Sequence, residues 1–187
     1  MRIAVGITGG SGAIYGLALL KALAALGHES HLVVSEMGAK VMLHECGVGL
    51  EDLRGYAHKA YENGDLAASL ASGSYPIDGM AIVPCSMKTL SLIASGASNS
   101  LLARAADVAI KERRTLVVVP REMPFSPIHL ENMLKLSRLG VIALPPCPAF
   151  YHHPQDLSDL VMFVVGKILD QLRIEHNLYQ RWQGEKI

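Results

Sequence analysis

Arg121 and Glu122 stand side by side directly after the apolar run TLVVVP (115–120), and a guanidinium next to a carboxylate can do two kinds of chemistry. The planar fork can grip a phosphate through paired hydrogen bonds, and the carboxylate can take up or deliver a proton. An exposed ion pair is the bland alternative. In PCSMKTLS (84–91), Ser86 and Thr89 can cap a helix while offering hydroxyls to a ligand, so structural and binding roles coexist there. In RAADVAIKERR (104–114), Arg104 and Lys111 lie two helical turns apart on one face, with Asp107 between them. That stripe reads either as an anion-binding edge or as a solvated row of ion pairs. CPAFYHHP (147–154) adds Phe150, Tyr151, His152 and His153; adjacent side chains of extended chain point to opposite sides, so no metal site is expected from the histidines. Cys85 has no histidine nearby in sequence to lower its pKa and reads as a small core residue rather than a nucleophile.

The opening GITGGSGAIYG (6–16) poses a separate question. Tested against the dinucleotide fingerprint G-x-G-x-x-G, the run Gly10-Ser-Gly12-Ala-Ile-Tyr15 puts Tyr where the third glycine belongs, and HLVVS (31–35) ends in Ser35 where an acid should grip a ribose. The fit is poor. What remains is a glycine turn at a helix start, either a cradle of backbone N–H groups for a single phosphate or only a tight connection.

These residues need a scaffold that brings them to one edge. Short, continuously apolar runs at 2–7, 31–35, 80–86, 115–120 and 140–146 read as strands buried on both faces, and segments of helical spacing lie between them at 14–27, 89–96, 100–114 and 126–140, with a last helix at about 154–172. The alternation predicts an α/β fold of three layers, a Rossmann-like or flavodoxin-like open parallel sheet with helices on both faces. In such a sheet ligands sit beyond the carboxyl ends of the strands, which is where the residues named above fall. The Gly- and Ser-rich stretch from Glu51 to about Gly79 reads as a mobile excursion between strands.

Composition narrows the class. The 187 residues suit one α/β-sized domain spanning 1–187, with a polar C-terminal arm at about 174–187 that could reach a neighbouring subunit or fray. A net charge of zero offers no field for nucleic acid or an anionic membrane, and three scattered cysteines suit a reducing cytoplasm. No basic leader and no long apolar stretch is present, so a soluble, unprocessed protein is expected. A charged fraction of 18% is low for a lone domain and points to covered subunit interfaces.

Taken together, GITGGSGAIYG, PCSMKTLS, RAADVAIKERR, VPREMPFSPIHLENMLKLS and PAFYHHPQ make the chain resemble, over nearly its whole length, the flavin prenyltransferases of the UbiX family. The resemblance implies transfer of a dimethylallyl group from dimethylallyl monophosphate to N5 and C6 of reduced FMN, without a metal, giving prenylated FMN for a UbiD-type decarboxylase. It implies that Gly10, Ser11, Gly12 and Ser35 hold FMN, that Ser86, Met87, Lys88 and Thr89 run along it, and that Arg104 and Arg121 lie near it. Glu45, Lys111, Arg121, Glu122, Tyr151 and Lys167 would surround the prenyl phosphate, some from neighbouring subunits of a homododecamer. Ser11, Glu45, Lys111 and Glu122 are the implied catalytic groups, with Ser11 and Glu122 as a proton relay. Leu66 stands where some relatives carry Trp, so the lid or pocket wall there is expected to differ. Two other roles fit less well, an FMN-carrying subunit of a phenolic-acid decarboxylase and a flavin-dependent cysteine decarboxylase; the loop segments of the latter are missing.

Overall fold

Six parallel strands form the centre of the computed structural model, which describes residues 1–184. They are β1 (Arg2–Ile7), β2 (Glu29–Val34), β3 (Lys59–Tyr61), β4 (Gly79–Cys85), β5 (Thr115–Pro120) and β6 (Ile142–Ala143), in the order β3-β2-β1-β4-β5-β6. Chain order reverses between β1 and β4, which opens a crevice at their carboxyl ends. Thr8 fastens that point. Its side chain is 1% exposed; the hydroxyl donates to the Pro84 carbonyl at 2.8 Å and accepts from the Ser86 N–H at 2.7 Å.

The strands are apolar on both faces because each face meets its own core. Ile3, Val5, Ile7, Ala81, Val83, Val117 and Val119 point to one side, against α1 (Ala13–Ala25) and α7 (Leu157–Gln171), with Met42 of α2 (Glu36–Cys46) and Leu53 of α3 (Leu50–Gly55) in the same core. Ala4, Met80, Ile82, Leu116 and Val118 point to the other, against α4 (Met87–Ser95), α5 (Leu101–Lys111) and α6 (Pro127–Arg138). The period-two alternation therefore makes the three-layer α/β architecture that the sequence predicts.

Several boundaries differ from the sequence reading for local reasons. The last helix starts at Leu157, because Asp156 caps it by accepting from the Asp159 N–H at 3.0 Å. The fifth expected strand shrinks to Ile142–Ala143, since Pro145 and Pro146 have no N–H to give to a ladder. The excursion after residue 51 contains α3, β3 and a 3-10 turn at Ser69–Ala71, and long-range contacts tie it down. The Tyr61 hydroxyl lies 2.9 Å from His31 Nδ1 and 3.1 Å from Ser69 Oγ, Asn63 accepts from the Leu101 and Leu102 N–H groups, and Arg114 donates to the Gly73 carbonyl. The expected C-terminal arm folds back on its own chain as far as it is described. Ile174 and His176 are buried, and the Tyr179 ring packs 4.8 Å from Phe163 of α7; residues 185–187 of that call lie outside the described residues.

Close packing of α1 on the sheet depends on Gly16, where a Cβ would sit 2.5 Å from the Val83 carbonyl oxygen and 3.0 Å from Ile7 Cδ1. Backbone on one side and a fully buried side chain on the other leave no room to yield. Gly16→Ala is expected to destabilise the fold by about 2 kcal/mol despite its better helix propensity, read as a lower urea midpoint; an unchanged midpoint would refute this packing constraint.

Candidate functional site

Beyond the carboxyl ends of β1, β2 and β4 lies a cavity of about 500 Å³. Three helices begin at its wall, and each begins on a serine. Ser35 caps α2 by accepting from the Gly38 N–H at 3.0 Å, Ser86 caps α4 by accepting from the Thr89 N–H at 3.3 Å, and Ser100 caps α5 by accepting from the Ala103 N–H at 3.3 Å. Neither α4 nor α5 carries an acid in its first turn, and Lys88 lines the cavity beside them. Glu36, in the first turn of α2, also lines the cavity and pairs with Lys40, so it is the α4 and α5 dipoles and Lys88 that turn a positive field toward this space, as an anionic ligand requires. The remaining lining includes Thr89, Asn63 and Asn99 as hydrogen-bonding groups, with Met37, Leu92 and Leu102 as apolar wall. Gly9 keeps a gap open on the β1 side, since a Cβ there would fall 2.6 Å from that of Met37. A phosphorylated, flat, partly apolar molecule such as FMN fits this donor set.

The opening glycines do different work from the one the sequence suggested. Of Gly9, Gly10, Ser11 and Gly12, Gly9 alone lines the cavity. The N–H groups of Gly12 and Ala13 at the start of α1 donate to Glu45 Oε2 at 2.8 and 2.9 Å, so the expected phosphate cradle is filled by the protein's own carboxylate. Partial burial pushes the Glu45 carboxyl up, but hydrogen bonds from Ser11, Ala13 and Gly12 and the nearby charge of Arg121 outweigh it and hold it below its ordinary value. Ser11, Glu45 and Arg121 therefore form one cluster at the mouth of the crevice. The expected Ser11–Glu122 relay is not assembled: Glu122 is exposed and accepts from the Met123 N–H, and the carboxylate beside Ser11 is Glu45.

Other expected site residues lie elsewhere on the chain. Arg104 donates to the Ala71 carbonyl at 3.1 Å and to Asp107 at 2.6 Å, and Lys111 pairs with Glu112, so the α5 stripe faces the 69–73 segment and not the cavity. Tyr151 stands edge-on to Phe163 and Trp182, and Lys167 lies 3.5 Å from Asp170, both along α7 on the opposite side of the sheet. Met87 is half-buried in the α4 core. His152 stacks on Phe163 at 5.2 Å while His153 is exposed, so the two diverge. Burial pushes the Cys85 thiol up to about 12, which leaves it inert. Asn63, Asn99 and Ser100 escaped the sequence reading; the SNS run before an apolar helix is an N-cap signal that could have found Ser100.

Comparison with known proteins finds similar flavoproteins over nearly the whole chain. A family model described as Flavoprotein matches residues 1–169. The flavin prenyltransferase UbiX of Methanocaldococcus jannaschii is 49% identical over 182 residues, covering 97% of this chain and 98% of the relative. The crystal structure of AnUbiX (PadA1) in complex with FMN and dimethylallyl pyrophosphate superposes with a TM-score of 0.97 at 43% identity, covering 99% of this chain and 98% of that one. A dodecameric FMN-dependent UbiX-like decarboxylase from Escherichia coli O157:H7 superposes at 0.96 with 49% identity, covering 98% of this chain and 100% of that one.

The Glu45 contact has a pH signature. A carboxyl depressed on folding stabilises fully above its unfolded value of about 4.5 and loses that contribution as pH falls through the folded value. Glu45→Gln should therefore cost roughly 0.5–1 kcal/mol at pH 7 after solvent screening, and the gap to wild type should narrow as pH falls below the ordinary carboxyl value and through the depressed one. Denaturation midpoints across pH read this out; a gap that stayed constant with pH would show that charge plays no part.

Proposed function

The chain belongs to the UbiX flavin prenyltransferases of the Flavoprotein family, and on that premise we propose that it transfers a dimethylallyl group from dimethylallyl monophosphate to N5 and C6 of reduced FMN. The observation that carries the reading is the convergence of three serine-capped helix starts and Lys88 on one cavity, next to the Ser11–Glu45–Arg121 cluster. It is supported by AnUbiX, which was crystallised with FMN and dimethylallyl pyrophosphate.

Reduced FMN supplies the nucleophilic ring atoms, and the residues divide the rest of the work. Ser35, Ser86, Lys88 and Thr89 bind the flavin phosphate and edge, with Gly10, Ser11, Gly12, Met87 and Arg121 next to them and Arg104 supplied to the flavin of a neighbouring subunit. Loss of phosphate from an allylic carbon develops negative charge on the leaving oxygens, and Arg121, Lys111 and Lys167 are the cations assigned to meet it, with Tyr151 donating from its hydroxyl. The apolar wall keeps the allylic fragment from water. Glu45, held ionised, draws the Ser11 proton inward, so that Ser11 can accept a proton from the ring side and pass it on; Glu122 handles a proton at the solvent edge. Arg104 and Lys111 lie outside the cavity lining of their own chain, which supports an assembly in which they serve a neighbouring subunit's site. The dodecameric relative favours a homododecamer of such single-domain subunits. Prenylated FMN would then pass to a UbiD-type decarboxylase.

Reduced FMN, dimethylallyl monophosphate and the protein, incubated without oxygen, should yield an extracted flavin heavier by one dimethylallyl unit. An unchanged flavin mass with both substrates bound would sink the reading and point to an FMN-carrying subunit. Glu122→Gln should keep FMN affinity while product formation falls about 100-fold. Full turnover by that variant removes Glu122 from the chemistry.

A further inference from the structure

Asp170, near the C-terminal end of α7, gathers Lys167, His176, Tyr179 and Arg181 around a side chain only 17% exposed. Arg181 approaches as a fork, Nη2 to Oδ1 at 2.6 Å and Nη1 to Oδ2 at 3.2 Å. The Tyr179 hydroxyl donates to Oδ2 at 2.7 Å, His176 Nε2 lies 3.1 Å from Oδ1, and Lys167 Nζ is the most distant partner at 3.5 Å. These contacts bend residues 174–182 back along α7. The bend seats Tyr179 on Phe163 and brings Trp182 edge-on to Tyr151, ring centres 5.6 Å apart. Residues 177–183 read NLYQRWQ, with Leu178 and Tyr179 the ones that pack on the core, so the polar anchor fixes where this segment lies. Burial works against the charge on Asp170, but Arg181, Tyr179 and His176 overcome it and keep the carboxyl ionised far below its usual range.

We propose that Asp170 is a positioning residue for the prenyl-donor subsite, setting the C-terminal segment so that Trp182 braces Tyr151 and letting Arg181 neutralise it so that Lys167 remains available to a phosphate. The inference rests on the proposed function, which assigns Tyr151 and Lys167 to the donor. The carboxylate holds its two basic partners unequally, Arg181 at 2.6 Å and Lys167 at 3.5 Å. The fork of Arg181 satisfies both oxygens at short range, and the single ammonium of Lys167 is left at ion-pair distance, from which it can turn to a better anion.

Trp182 is the chain's single tryptophan, so its emission reports the seating of the segment directly. In the full-length assembly at pH 7, Asp170→Asn should red-shift that emission and raise KM for dimethylallyl monophosphate about tenfold, with kcat within about twofold and FMN affinity unchanged. Arg181→Gln, at a half-exposed side chain that the fold tolerates, should do the same, and Arg181→Lys should restore part of the loss. A shifted emission with unchanged KM would reduce Asp170 to a structural tether and overturn the inference, as would FMN affinity falling in step with KM. A wild-type protein that bound no donor at all would instead overturn the functional reading, and this inference with it.

Discussion

The Glu45 carboxylate closes the amino end of α1, and the layout of the site follows from that contact. A helix start leaves N–H groups without partners, and in a parallel sheet several such starts crowd the same edge. Here the start nearest the glycine turn is satisfied internally, at 2.8 and 2.9 Å, by a residue from the end of α2. The unopposed positive field is left at the starts of α4 and α5, which carry no carboxylate in their first turns, whereas Glu36 stands in the first turn of α2. The same contact holds a negative charge beside Ser11.

Much of this architecture was legible because burial on both faces writes a strong signal. Runs such as TLVVVP and RIAVGI have to be inner parallel strands, and their carboxyl ends located Ser35, Ser86, Arg121 and Glu122 before any coordinates. Lys59–Tyr61 was illegible for the converse reason. A three-residue edge strand of a lysine, an alanine and a tyrosine carries no apolar run, and its place is fixed by pairing with β2 and by Tyr61 meeting His31 and Ser69. The partner of the glycine turn was equally hidden. No spacing rule connects residue 45 with residue 12, and only the fold of α2 across the end of α1 brings them together. The family resemblance named Glu45, but as a group around the phosphate; its position on the α1 N–H groups is a structural result.

The low charge fraction finds its explanation on the surface. Along α6 Ile128, Leu130 and Leu134 are exposed, and Met123, Phe150 and Leu157 extend apolar surface near the same end of the sheet's strands. Exposure of this kind on a chain of zero net charge favours association, and no opposing field keeps copies apart.

The cations make the same demand from the chemistry. Arg104 and Lys111 sit on α5, on one face of the sheet, and Lys167 sits on α7, on the other. The strand layer, with a packed core on each face, lies between them. Arg121, at the end of β5, is the one cation of the set that stands at the edge where both faces meet. No rearrangement of side chains within one chain brings Lys111 and Lys167 to a common phosphate, because α5 and α7 are each fixed by their own buried core. If all three cations act on one leaving group, at least one comes from another subunit. On that reading oligomerisation completes the phosphate site, and the exposed apolar residues supply surface for it.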